Sequence, residues 1–290
     1  MSRLALVLAC LPCESGAHGI AAADNGIGWT LTLTLLLGTS AALYAVGVRR
    51  LWRRAGAWRG LHRADVLRFA LGSTVLAAAL FSSIDALADR SFSLHMLQHE
   101  LLMLVAAPLF VLARPLQAWT WALPQPLRVR AANVAHARAA RTGWRLISSQ
   151  SGAWCLHASA LWIWHVPSLF IAAVASPLLH VLQHGCFLGT ALLFWWSVLR
   201  DRAGANAGGA MLAVFTTMLH TSALGALITL ASHPWYVAAG QTTLFGITAL
   251  EDQQLGGLIM WVPGSLAYLV AGLVIVAARL SPVRVHHDVA

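Results

Sequence analysis

Residues 94–115 read LHMLQHELLMLVAAPLFVLARP. From Leu101 to Ala113 the stretch carries no charge, and with its flank it is long enough to cross a bilayer, which takes about 20 apolar residues. Its opening is of another kind: His95 and His99 stand four apart, followed by the carboxylate Glu100. Working outward, six more segments reach spanning length: 27–48, 66–84, 152–173, 178–199, 209–231 and 255–278. The last is interrupted by Gly256, Gly257 and Pro263, which membrane helices tolerate where neighbours satisfy the freed backbone groups. The reading is an all-α, polytopic transmembrane helix bundle of seven spans after an N-terminal signal-like segment. The chain divides into that segment (1–23), one membrane domain (24–280) and a short tail (281–290).

Composition agrees. The 290 residues are 59% hydrophobic and 10% charged, where a soluble domain carries about 25% charged residues, and the mean hydropathy is +0.70. The formal charge of +9 could point to nucleic acid, but its distribution excludes that partner. All 19 basic residues are arginine. They sit in alternate connections: Arg49, Arg50, Arg53, Arg54, Arg59 and Arg63 in 49–65, six more in 114–151, Arg200 and Arg202, then Arg279 and Arg284. The opposite side has Arg90 with Asp24, Asp85, Asp89, Glu100, Glu251 and Asp252. The positive-inside rule makes the arginine side cytoplasmic, with the N-terminus outside and the C-terminus inside. The arginine-, Trp- and Leu-bearing connection 114–151 suits either an interfacial helix or a solvated loop.

The start, MSRLALVLACLPCESGAHGIAAAD, is too short to span and reads as a secretory signal cleaved after Ala17 or Ala23, with a short uncleaved anchor as the rival. Cleavage would remove Cys10 and Cys13. Cys155 and Cys186 would remain on different spans, which supports neither a disulfide framework nor a cysteine zinc site.

Thirteen histidines need placing. His62, His136, His286 and His287 fall in arginine-side connections or the tail and read as solvated. His95 and His99 open the third span. His180 and His184, in LLHVLQHGCF, open the fifth. His165 lies in the outer part of the fourth span, and His233 closes the sixth. Residues four apart share a helix face, about 6 Å apart along the axis. Two such pairs at one depth can converge on a metal, because strongly polar groups in a membrane are costly and face the bundle interior. Imidazole, with thioether sulfur from Met96, favours copper over magnesium or calcium. His157 and His220 lie deeper. A lone interfacial histidine is ordinarily just polar surface; the repeated pairs carry the metal reading.

At these residues the chain resembles the CtaG family of cytochrome c oxidase assembly factors. The resemblance rests on HMLQHELLMLVAAPLFVLARP (95–115), on LWIWHVPSLFIAAVASPLLHVLQHGCFLGTALLFWW (161–196), with W-H-x-P and H-x-x-x-H, and on EDQQLGGLIMWVPGSLAYL (251–269). It covers roughly residues 25–280, with the motifs in order. It implies a multi-span protein of the bacterial inner membrane, needed to make active haem–copper oxidase and linked to copper handling. Glu100 departs from the pattern, which has an apolar residue after the second histidine.

The expected ligand set is therefore His95, His99, His180 and His184, then His165 and His233, with copper as the metal. Asp252 and Asp85 are expected to accept imidazole N–H groups and fix their tautomers; Glu100 could add a ligand or proton acceptor. His18, if exposed by cleavage, could form a further copper site. The expected partners are oxidase subunits, other copper-delivery proteins and the bilayer. Rival readings remain. His157 and His220 could hold haem as axial ligands, or, with Met211 and Met218, line a copper transport path. An enzyme is not expected: H-E-x-x-H is absent, which argues against a zincin, and the adjacent-histidine boxes of membrane di-iron hydroxylases are missing. A retinal protein is excluded, since its Schiff base needs a lysine and the chain has none.

Overall fold

The computed structural model describes residues 20–81, 87–88, 90–199, 207–236 and 246–280. Residues 1–19, with the signal-like stretch and His18, lie outside the described residues, as does Asp85. The described residues are helical, with no strand among them. In chain order the helices are α1 (Ile20–Ala55), α2 (Arg63–Phe81), α3 (Phe92–Ala113), α4 (Pro115–Ala122), α5 (Gln125–His136), α6 (Arg138–Ile147), α7 (Gln150–Trp164), α8 (Pro167–Ala175), α9 (Pro177–Leu199), α10 (Ala207–Thr229) and α11 (Ala249–Leu280). Six are long and apolar enough to cross a membrane, and the bent pair α7–α8 makes a seventh if it is one span.

That bend was not read from the sequence, which gave one span over 152–173. The pair turns by 78° at His165–Val166. Pro167 lacks an N–H and pushes the residue before it out of helical conformation; Val166 sits at φ −64°, ψ 125°. A second irregularity lies inside α3, where Leu101–Ala106 is π-helical. In that register the Met103 carbonyl looks to residue 108 for its donor, and Pro108 has none. The indole of Trp195, from α9, donates to the Met103 carbonyl instead, at 2.8 Å.

Connection 114–151 is neither one interfacial helix nor a plain loop. Its first helix, α4, packs along α1. A Cβ on Gly47 would collide with the Ala118 carbonyl, so only glycine permits that crossing. Trp119 Nε1 donates to the Ser40 carbonyl at 3.1 Å, and Tyr44 Oη to that of Ala113 at 3.0 Å. Tyr44, Val48, Leu51, Leu61, Phe69, Ala113 and Ala118 form the core there. By contrast α5 and α6 bury nothing, as expected of helices lying on a membrane surface.

The main core packs Met103, Leu161, Phe187, Phe194, Trp195 and Tyr268 between α3, α7, α9, α10 and α11. Helices α10 and α11 cross where a Cβ on Gly225 would lie 2.9 Å from the Gly257 carbonyl oxygen, and Ser222 and Ser265 bond across the pair at 2.7 Å.

Candidate metal centre

Helix α3 starts from a fixed point. Ser91 has extended backbone and its Oγ accepts from the Leu94 N–H at 3.4 Å, a serine N-cap. The Asp252 carboxylate, at the start of α11, accepts from Phe92 N (2.6 Å), Ser93 N (3.2 Å), Ser91 Oγ (2.8 Å) and Ser93 Oγ (2.5 Å). Asp252 is therefore not bonded to an imidazole, as the sequence suggested. It ties down the helix turn that carries His95, because the orphan N–H groups of a helix start attract an anion.

The rest of the 251–269 motif serves the same joint. Gln253 Oε1 accepts from Trp235 N at 2.5 Å and Tyr236 N at 3.4 Å. Gln254 Nε2 donates to the Ala231 carbonyl at 3.3 Å. Gly256 leaves room for Phe92 and Met96, which a Cβ would strike. Tyr236, absent from the sequence reading, donates its hydroxyl to the His165 carbonyl at 2.7 Å. Burial pushes that phenol above its ordinary range, so it stays a donor. Nothing local in the sequence marks Tyr236, and Ser91 was also absent from the sequence reading, although a serine just before a helix is the usual signal of a cap.

On this frame the H-x-x-x-H pairs of α3 and α9 meet. Ring centroids lie 4.4 Å apart for His95–His99, 4.4 Å for His180–His184, 5.1 Å for His95–His180, 5.1 Å for His99–His184 and 5.8 Å for His95–His184. One ring nitrogen from each of His95, His180 and His184 falls within 4.8 Å of the others. His95, His99 and His184 are buried and His180 half-buried. Phe170 and Phe187 stand at 4.9 Å from His95 and 4.5 Å from His99 and close the apolar wall.

His165 completes the cluster through the break in the fourth span. Its ring lies 6.3 Å from that of His99. Its Nδ1 bonds the Leu161 carbonyl at 2.6 Å. Because a carbonyl only accepts, Nδ1 carries the proton and the Nε2 lone pair is left facing inward. That nitrogen is buried with no hydrogen-bond partner among the described residues, as are both ring nitrogens of His99 and Nε2 of His184. Buried polar atoms are ordinarily satisfied, so this set of neutral imidazole lone pairs fits a cation.

Other candidates lie elsewhere. His233 is exposed, against Ser232 and Trp235. Met96 is buried among Phe92, Phe170, Ile228 and Met260 as core, where its flexible thioether fills space. Glu100 faces Gly264 of α11 and is not in the three-histidine group. His157 is satisfied. Thr190 Oγ1 donates to the Cys186 carbonyl at 2.7 Å, so it accepts from His157 Nδ1 at 3.2 Å, which leaves Nε2 to accept from Tyr268 Oη at 3.5 Å. That assignment gives both ring nitrogens of His157 a partner within the bundle. The His220 ring lies against Trp154, 5.8 Å between centroids. Cys155 and Cys186 are free thiols.

Set against known families, residues 42–281 match the model for the cytochrome c oxidase caa3 assembly factor, CtaG type. No curated protein matches, and no solved structure does.

Proposed function

This chain belongs to the family of cytochrome c oxidase caa3 assembly factors, and from that premise we propose that it holds copper in transit at the five-histidine cluster and passes it to oxidase subunits. The observation that carries the reading is the convergence of His95, His180 and His184 ligand nitrogens, from two helices, within 4.8 Å. Around one ion with metal–nitrogen bonds of about 2 Å, ligand nitrogens stand roughly 3.3 Å apart, a closure reached by side-chain rotation. His99 and His165 supply adjacent nitrogens, so an ion can be accepted and released by exchanging one imidazole for the next. An all-imidazole set suits copper among the metals of a haem–copper enzyme.

Orientation follows from charge. The cluster lies at the start of α3, at the opposite end from Arg114, and the arginine-rich connections mark the cytoplasmic side. The site then opens to the outer face of a bacterial inner membrane, where other copper-delivery proteins can reach it. The role is one of holding and delivery, without catalysis.

The test is metal analysis of the detergent-purified protein beside His95→Ala/His184→Ala. Near-stoichiometric copper in the wild type, lost in the folded variant, supports the reading. Equal copper in both, or none in copper-loaded wild type, overturns it.

A further inference from the structure

A second cluster of like residues lies at the other end of the molecule. Arg50, Arg53, Arg54 and Arg128 line a cavity of about 280 Å³ with Trp121, Leu123, Pro124 and Gln125, between the end of α1 and the α4–α5 junction. No carboxylate is among the lining residues. The carboxylate of Asp65, on α2, is paired with Arg68. Four guanidinium groups so gathered repel one another unless an anion lies between them.

The cluster is built. Arg50 donates to the Ala122 carbonyl at 2.5 Å, at the end of α4. The Arg128 guanidinium carbon lies 4.6 Å from the Trp121 ring centre, and that of Arg54 lies 6.0 Å from it, so one indole orients two guanidinium planes. The cavity also meets the first residues of α5, whose N-terminal end carries the positive pole of its dipole. Guanidinium forks match phosphate oxygens bidentately.

The depth of the site selects among phosphates. The cavity sits where α1 leaves the bilayer, beside α5 and α6, which expose Leu127, Val129, Val134, Leu146 and Ile147 together with their arginines. Helices of that composition rest at the headgroup level, and basic pockets between membrane helices on the cytoplasmic side hold acidic headgroups. We propose that the Arg50–Arg53–Arg54–Arg128 cavity binds the phosphate of an acidic phospholipid and thereby seats α4 and α5 against the membrane surface.

The test is lipid binding by native mass spectrometry of the full chain, with phosphatidylglycerol, phosphatidylcholine or excess inorganic phosphate added. The first variant is Arg53→Gln/Arg54→Gln/Arg128→Gln, which leaves Arg50 and its backbone bond in place. The control, Arg59→Gln/Arg63→Gln/Arg138→Gln, removes the same charge outside the cavity. Expected are a preference for phosphatidylglycerol, retained by the control and weakened about tenfold or more in the cavity variant. Should the glutamine variant fail to fold, Arg53→Lys/Arg54→Lys/Arg128→Lys keeps the charge, removes the forks and is expected to lose the preference in part. Equal loss in control and cavity variants overturns the site. Displacement of the lipid by inorganic phosphate overturns the lipid assignment.

Discussion

Asp252→Ala removes the one carboxylate that anchors the histidine-bearing end of α3. It takes away acceptors from two backbone N–H groups and two hydroxyls, at 2.5–3.2 Å. A hydrogen bond to a charged acceptor contributes about 1.5–3 kcal/mol, but four on one carboxylate do not add. Ser91 goes on capping Leu94, and the half-buried position admits water once the carboxylate is gone. The net cost is nearer one lost cap and one lost charged bond, about 2–4 kcal/mol. It falls on the first turn of α3, one turn before His95. A frayed turn must re-form before the imidazoles converge, so copper affinity falls by at least about tenfold, with the full cost as its ceiling. Asp252→Asn keeps one acceptor oxygen and loses less. The assay is competition between the purified protein and a chromogenic Cu(I) chelator, with thermal unfolding run in parallel. Stoichiometry of the fully loaded protein should not change, because Asp252 touches no imidazole. An Asp252→Ala protein that stays folded and binds copper within about twofold of wild type would refute the reasoning.

Three further outcomes follow from the same geometry. His165→Ala should weaken copper binding in the chelator assay, and Tyr236→Phe should weaken it less, since it removes only the donor to the His165 carbonyl, about 1 kcal/mol; a larger loss in Tyr236→Phe would overturn the role given to Nε2 of His165. Binding needs neutral imidazoles, so acid should release the copper with uptake of more than one proton per ion if several histidines bind; copper held unchanged down to the lowest pH at which the protein stays folded counts against histidine ligation. His157→Leu should leave copper stoichiometry intact while lowering the thermal midpoint, because Thr190 and Tyr268 lose their buried partner at a cost of about 1–3 kcal/mol.

Much of the fold was legible because a membrane span needs only length and apolarity, and both are written directly in the chain. Segment 94–113 became a helix over Phe92–Ala113, and 178–199 became Pro177–Leu199. The breaks were less legible. Pro167 was visible, but an apolar run on both sides of it reads as one span until the 78° turn is seen. The π-helical Leu101–Ala106 leaves no mark in composition; its enabling partner, Trp195, stands 92 residues away. Within the candidate site, helical spacing alone paired the histidines, while their convergence depended on how α3 and α9 pack. Asp252 was expected to accept from an imidazole. The structure bonds it to the start of α3 instead, since a carboxylate at that height had two kinds of N–H to serve and the sequence does not say which lies in reach.

The two irregularities bear on the cluster as a unit. A straight fourth span would carry the His165 backbone onward into helix, with its carbonyl committed to a residue four further on. The break at Val166 frees that carbonyl for Tyr236 and lets the ring turn back to bond Leu161. The π stretch begins directly after Glu100 and changes the helical phase below the histidines without disturbing the α-helical spacing of His95 and His99; such bulges are frequent at functional sites. Each device costs regular backbone hydrogen bonding in an apolar setting, where an unmet polar group is expensive. The chain meets that cost with specific donors, Trp195 for one break and Tyr236 for the other. Yet ring nitrogens of His99, His165 and His184 are buried with no hydrogen-bond partner among the described residues. A fold that satisfies its broken backbone so closely, and leaves buried imidazole nitrogens without partners, supports the proposal that the cluster takes a cation.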